Sequence, residues 1–273
     1  MERAGTDRVL RREWRALLHA VERFVLPNVC VACERPIERR RPDALVCTPC
    51  LARLRTVDGG CERCAQPLPP VGPCRFCEAW PAALSWVRSA VWLDEEARQM
   101  IHHLKYDGLS TLGTEIARVV VRSVPRVPGA VLVPIPLGPR RLHRRGFNQA
   151  EVVAGALARR WMLPLQPSLL RRQRETRTQT ALDPARRRQN VRDAFAARSR
   201  AGRRGGGEGG ERAAATVILV DDVLTTGATL VAAAEALRQA GWPRIGAVTF
   251  ARALPYAARA VTDPAAVPAR GWR

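Results

Sequence analysis

The sequence predicts an α/β protein with buried parallel strands, preceded by a small metal-binding region. Three observations carry this. Residues 217–220 read Val-Ile-Leu-Val, the composition of a strand buried on both faces, and run through two acids and a turn into the helical spacing of Leu230, Val231, Ala234 and Leu237. Strand and helix patterns alternate again across residues 85–122 and from residue 131 onward. All eight cysteines fall between residues 30 and 77, as four Cys-x-x-Cys pairs. The length of 273 residues suits one mid-sized domain with a small one beside it.

The run Asp221-Asp222-Val223-Leu224-Thr225-Thr226-Gly227-Ala228-Thr229 follows the 217–220 strand and says most about function. A strand-loop-helix junction aims unpaired backbone N–H groups and the positive end of the helix dipole at one spot, which suits a phosphate. Gly227 allows close backbone approach, and Thr225, Thr226 and Thr229 add hydroxyl donors. Asp221 and Asp222 would repel a phosphate but suit the two hydroxyls of a sugar, as hydrogen-bond acceptors. The ligand described is a phosphorylated ribose with free vicinal hydroxyls. An ordinary α/β turn does not gather two acids, three threonines and a glycine in nine positions. No Gly-x4-Gly-Lys-Ser/Thr occurs, and no Gly-x-Gly-x-x-Gly follows a strand, which disfavours a P-loop ATPase and a dinucleotide-binding turn.

The cysteine pairs are Cys30/Cys33, Cys47/Cys50, Cys61/Cys64 and Cys74/Cys77. In a reducing compartment they are not a disulfide framework. A Cys-x-x-Cys knuckle brings two thiolates to one point, and two knuckles complete a tetrahedral zinc site. An internal repeat suggests the pairing: Cys30-x-x-Cys33-x-x-Pro36-Ile37 echoes Cys61-x-x-Cys64-x-x-Pro67-Leu68, each followed by a plain pair. Two tandem ribbons, 30–50 and 61–77, holding two structural Zn²⁺ ions, are expected. So short a region could hardly form a sufficient core without metal. Metal removal is expected to unfold residues 30–77 and spare the 221–229 loop.

The formal charge is +20, and of 45 basic residues only Lys105 is a lysine. Such a skew reflects base composition more than function, so the net charge is weak evidence for an acidic partner. The lone compact ammonium, in Ile101-His102-His103-Leu104-Lys105-Tyr106-Asp107-Gly108, is more informative because guanidinium cannot replace it at every task. No apolar run reaches bilayer length, and the charged start of the chain does not read as a signal peptide. Residues 14–26 suit a short amphipathic helix, read as packing against a neighbouring domain in preference to a membrane. The expected location is cytoplasmic, with peripheral contact at the inner membrane face left open.

Three stretches connect the cysteines to the 217–230 run. Residues 89–93 read as a strand, followed by a helix from an Asp94 cap to about Tyr106 and another with Leu112, Ile116, Val119 and Val120 on one face. Residues 131–139 read as a buried strand stopped by prolines, running into Arg140-Arg141-Leu142-His143-Arg144-Arg145-Gly146-Phe147-Asn148-Gln149 and an alanine-rich helix. Residues 170–195 carry Arg171, Arg172, Arg174, Arg177, Arg186, Arg187, Arg188 and Arg192. Their low apolar content predicts an exposed loop or helix. Residues 201–214, rich in glycine and arginine, read as a flexible insertion.

The 217–230 segment closely resembles the phosphoribosyl-pyrophosphate (PRPP) motif of type I phosphoribosyltransferases. Beyond it, the paired cysteines, IHHLKYDG, VPIPLGPRRLHRRGFNQAE, RETRTQTALDPARRRQNVRDAF and VDDVLTTGATL occur in the order of the ComF family, and that resemblance covers nearly the whole chain. It implies a phosphoribosyltransferase-like, mainly parallel sheet with helices on both faces. The implied organisation is an N-terminal helical segment at 1–29, a double zinc ribbon at 30–80 and the phosphoribosyltransferase-like domain at 81–273. The loop after Pro134 would hold pyrophosphate, with Arg144 and Arg145 near it, and 170–195 would cover PRPP. Lys105, Arg144 and Arg145 are the candidate catalytic groups, and Mg²⁺ would accompany PRPP.

Chemical logic agrees with this outline. Departure of pyrophosphate from ribose builds negative charge on the leaving group, which cations stabilise, and a closing loop excludes water. No signature for an acceptor substrate is present. Two functions therefore stand side by side: a PRPP-binding accessory to single-stranded DNA uptake, as the ComF resemblance implies, and a transferase acting on an unknown acceptor. For the first, the arginines between 171 and 192 are the candidate nucleic-acid contacts. Phe147 and Phe195 are the only aromatic rings those two basic segments contribute.

Overall fold

The computed structural model describes residues 29–37, 44–69, 71–174, 194–199 and 216–253. The expectations for residues 1–28, for Arg177, Arg186, Arg187, Arg188 and Arg192, and for 201–214 lie outside the described residues. The chain divides into two compact units, Met1–Arg53 and Leu54–Arg273. Cys61, Cys64, Cys74 and Cys77 lie in the larger unit. Helix α1 (Thr48–Arg53) lies in the first unit and carries Cys50 on its buried side.

The larger unit opens with β1 (Leu84–Trp92), which starts five residues before the strand read from sequence. Its outward positions hold Ser85, Trp86 and Arg88, which hide the alternation. Helix α2 (Glu95–Tyr106) begins where Asp94 accepts a hydrogen bond from the Ala97 N–H at 3.0 Å. Glu95 and Glu96 at its start and His103 and Lys105 at its end both oppose the helix dipole. Helix α3 (Leu112–Ser123) buries Leu112, Ile116, Val119 and Val120, the face expected from spacing. Strand β2 (Val131–Pro134) is followed by the short α4 (Pro139–Arg145) and by α5 (Gln149–Trp161), capped by Asn148.

The described ends of the 170–195 stretch depart from expectation. They form an antiparallel ribbon, β3 (Leu170–Arg172) with β4 (Phe195–Ala197), and Leu170, Ala194 and Phe195 are buried. Averaging apolar content over the stretch concealed the few apolar residues at its two ends, and pairing across so long a separation leaves no local periodicity. Strand β5 (Thr216–Leu224), helix α6 (Ala228–Gln239) and strand β6 (Arg244–Arg252) complete the described elements.

The main sheet has four described strands in the order β1-β6-β5-β2, every neighbouring pair parallel. Helix α6 packs on one face, while α3 and α5 pack together and against the sheet on the other. Val217, Ile218, Leu219 and Val220 are all fully buried, as a central parallel strand requires. Parallel pairing lines up the carboxyl ends on one edge. Because β2 and β5 are neighbours, with Pro134 opposite Val220, the β2–α4 and β5–α6 loops emerge side by side. That is where ligands of open α/β sheets bind.

Close approach at Gly246, near the start of β6, is a further constraint. A Cβ there would lie 2.2 Å from Cε2 of Trp86 on β1. Gly246→Ala should force the indole off the strand and lower unfolding free energy by about 1–3 kcal/mol, read as a fall in urea midpoint without change in slope.

Candidate functional site

The eight cysteines form two sets, Cys30, Cys33, Cys47, Cys50 and Cys61, Cys64, Cys74, Cys77, with the sulfurs of each set within 4.8 Å of one another. This is the grouping the internal repeat suggested. Contacts of 3.8 Å between Cys33 and Cys47, and 3.6 Å between Cys61 and Cys77 and between Cys64 and Cys74, match the roughly 3.8 Å edge of a tetrahedron with Zn–S bonds of about 2.3 Å. The repeat extends to the backbone. Glu34 N–H donates to Cys30 C=O at 2.7 Å and Ala65 N–H to Cys61 C=O at 2.6 Å. Both residues are left-handed, at φ 58° and 55°.

Sulfur electrostatics favour a cation. Burial pushes the Cys30 thiol up, but N–H groups of Cys47, Ala32 and Cys33 outweigh it and bring it down to about 7. Cys61 likewise falls to about 7 against its burial, through N–H groups of Cys64 and Arg63 and hydrogen bonds from Cys77 and Cys74. Burial and the crowded neighbouring sulfurs push Cys47, Cys50, Cys64 and Cys77 up. Each set thus pairs a ready thiolate with thiols that only a shared cation would ionise; four converging sulfurs of this kind fit Zn²⁺.

The second set is built into the larger unit. Cys64, Cys74, Cys77 and Trp80 belong to the same buried cluster as Leu224, Ala228 and Leu230. Arg63 donates to the carbonyls of Cys77 at 3.0 Å and of Trp80 at 3.1 Å. Arg252, fully buried at the end of β6, donates to Gln66 Oε1 and the Cys64 carbonyl. Trp80 then rests on Gly227, where a Cβ would come within 2.5 Å of the indole and φ is +77°. The expectation that metal removal would spare the 221–229 loop therefore does not fit this packing.

Strand β5 does not stop before its acids. It pairs with β6 through Leu224, so Asp221 and Asp222 lie within the strand, and their carboxyl groups interact with each other. Asp222 is buried and forms an ion pair with Lys105 Nζ; its other oxygen accepts from Gln149 Nε2 at 3.4 Å. Gln149 Oε1 in turn accepts from Arg145 Nη1. Asp221, of intermediate exposure, accepts from the Asp222 N–H at 2.9 Å. Lys105, Arg145 and Asp222 thus meet through Gln149, while Arg144 stays exposed on α4. Sequence reading passed over Gln149; its signal was a polar residue directly after the Asn148 cap, on the first, inward turn of an alanine-rich helix.

Burial drives the Asp221 carboxyl well above the usual carboxylate range, and the adjacent Asp222 charge adds to this. Burial also opposes ionisation of Asp222. The Lys105 ammonium outweighs it, helped by hydrogen bonds from Asp221, Lys105 and Gln149, and holds Asp222 below the usual range. The pair therefore retains a proton on Asp221 more readily than on Asp222. Burial lowers Arg145, Asp222 and Tyr106 oppose that, and Arg141 and Arg144 reinforce it.

After Leu224 the chain turns through exposed Thr225 and half-buried Thr226 to Gly227, the cap of α6. Thr226 Oγ1 accepts from Ala228 N–H at 3.4 Å, and Thr229 sits in the first turn. Beside this turn, Ile135 N–H donates to the Val220 carbonyl at 2.9 Å and Asn148 Nδ2 to the Ile135 carbonyl at 3.0 Å, which fixes the start of the β2–α4 loop. Of the candidate nucleic-acid residues, Arg171 and Arg174 are exposed, and Arg172 lies 5.2 Å from the Phe195 ring centroid.

Two measurements check this geometry. Metal analysis should return two zinc ions per chain. Cys33→Ser should lose one without moving the melting transition of the larger unit, whereas Cys64→Ser should lose the other and lower that transition. Replacing Lys105 with Met should destabilise the fold at neutral pH by about 2–3 kcal/mol, since it leaves a buried carboxylate unpaired. The sign follows from the depressed Asp222 value: its stabilisation is full above about pH 4 and disappears as pH falls through the folded value. The difference between parent and Lys105→Met should accordingly narrow on acidification; a constant difference would exclude the ion pair as its source.

Comparison with known proteins identifies the family. The Phosphoribosyl transferase domain family matches residues 148–264. Competence protein F of Haemophilus influenzae is 32% identical over 162 residues, covering 56% of this chain and 67% of that protein. DNA utilization protein YhgH of Escherichia coli K12 is 28% identical over 182 residues, covering 63% and 78%. Competence protein ComFC of Bacillus subtilis is 27% identical over 151 residues, covering 48% and 62%. With the parallel sheet, the strand-loop-helix site and the two four-cysteine clusters, these likenesses show that the chain belongs to the ComF family.

Proposed function

We propose that the chain binds PRPP, or a related phosphoribosyl ligand, at the carboxyl edge of its sheet and serves single-stranded DNA handling in natural transformation. The observation that carries the ligand is the Lys105–Asp222–Gln149–Arg145 chain, set beside a threonine-lined turn at the start of α6. Backbone N–H groups of that turn suit the 5′-phosphate, and the Asp221–Asp222 pair suits the ribose hydroxyls. Lys105 and Arg145 suit pyrophosphate. An incoming pyrophosphate competes with Asp222 for the Lys105 ammonium and so releases a carboxylate acceptor as it binds. Mg²⁺ bound with the ligand would neutralise pyrophosphate charge. The DNA role is supported by relatives named for competence and for DNA utilization and by the exposed Arg171 and Arg174. Among the described residues no helix is long and apolar enough to cross a membrane; work at the cytoplasmic side, with contact at the inner membrane face, is part of this proposal. Transfer of phosphoribose to an acceptor is the second reading, favoured by cations placed beside the carboxylates.

The test is calorimetric titration of PRPP with Mg²⁺. Replacing Asp221 and Asp222 together with Ala should weaken binding by about 2–4 kcal/mol, roughly 1–2 for each lost set of hydrogen bonds. Circular dichroism checks that the variant remains folded. Undiminished affinity in a folded double variant would overturn the assignment of the acids to the ribose.

A further inference from the structure

Tyr106, at the end of α2, is 64% exposed, unusual for an aromatic ring beside a buried ionic site. The guanidinium carbon of Arg145 lies 5.6 Å from its centroid, within cation–π range. The His102 ring is 5.0 Å away and tilted by 48°, so it props the phenol without stacking on it in parallel. Lys105, the preceding residue, reaches Asp222, and Arg145 reaches the same carboxylate through Gln149. The ring is thus joined to Asp222 by one chain of side chains, through Arg145 and Gln149, and by the backbone to Lys105, and α4 brings Arg141 and Arg144 beside Arg145. The rings contributed by the basic segments themselves, Phe147 and Phe195, are half-buried and buried. Among the described residues of this region, Tyr106 therefore supplies the exposed aromatic surface.

An exposed ring amid cations fits one ligand group particularly well. A nucleobase stacks on the aromatic face whatever its identity, while neighbouring arginines hold the phosphates on either side of it. We propose that Tyr106, braced by Arg145, is a stacking platform for a nucleobase at the mouth of the phosphoribosyl site. This rests on the phosphoribosyl reading for its setting, but the base contact is measured separately. The base comes either from a single strand or from a free nucleotide.

The experiment uses the full-length zinc-loaded protein and its Tyr106→Ala and Tyr106→Phe variants. Three probes are titrated: a thymidine oligomer, an abasic oligomer of equal length, and thymidine monophosphate. The parent should bind the thymidine oligomer more tightly than the abasic one. Tyr106→Ala should erase most of that preference, at least about fivefold for one stacked base, and Tyr106→Phe should keep it. A Tyr106-dependent loss on the monophosphate with none on the oligomer supports the platform and assigns the base to a free nucleotide. Equal affinities of parent and Tyr106→Ala for all three probes would overturn the proposal, as would a loss of the same size on the abasic strand, which would make the ring a mere support for the arginines. PRPP titrated into the parent separates the two readings: binding there with no Tyr106 effect on bases sinks the platform alone, and no PRPP binding sinks the phosphoribosyl reading while leaving the base result to stand.

Discussion

The larger unit depends on a buried charge. Arg252 closes β6 with none of its surface exposed, and such a group persists only where acceptors replace its lost hydration. Gln66 and the Cys64 carbonyl supply them, and the Phe76 ring lies 4.5 Å from the guanidinium. These acceptors belong to the second cysteine knuckle. The knuckle therefore fills the space beneath the sheet's working edge, and the sheet gives the knuckle a partner that a few dozen residues could not form alone. Arg63 repeats the arrangement from the other side, with its guanidinium spread over carbonyls of Cys77, Trp80, Pro81 and Leu84.

The geometry of the candidate site follows from strand order. Neighbouring parallel β2 and β5 bring a proline-stopped loop next to a threonine-bearing turn, and helices α2 and α5 bring Lys105 and Gln149 over the strand that carries the acids. The resulting carboxylate pair is electrically asymmetric. Asp222 is neutralised by an ammonium, while Asp221 keeps the burden of burial beside it. Cations and carboxylate acceptors thus lie side by side along one edge of the sheet.

Much of this was legible in the residues. The Asp94 cap, the Leu112-Ile116-Val119-Val120 face, the proline stop after Val133 and the four-by-four cysteine grouping all follow from local chemistry and appear in the structure. What escaped is non-local. Strand β5 carries its ladder past two acids because Lys105, more than a hundred residues earlier, compensates one of them; read alone, paired carboxylates look like an end. The ribbon at 170–172 and 195–197 depends on pairing across a long arginine-rich segment. Trp80 and Tyr106 gave no signal as site neighbours, since an aromatic residue acquires that meaning only from what faces it.

The contact between Trp80 and Gly227 has a consequence for descent. Gly227 is barred from gaining a side chain twice over, by its left-handed backbone and by the indole lying where a Cβ would go. Trp80 in turn follows Cys77 by three positions, so its place is set by the knuckle. A lineage could not remodel this turn by single steps: any larger residue at 227 requires a smaller one at 80, and that would open a void against the second cysteine knuckle. The turn and the cysteines are therefore expected to be inherited, or lost, together.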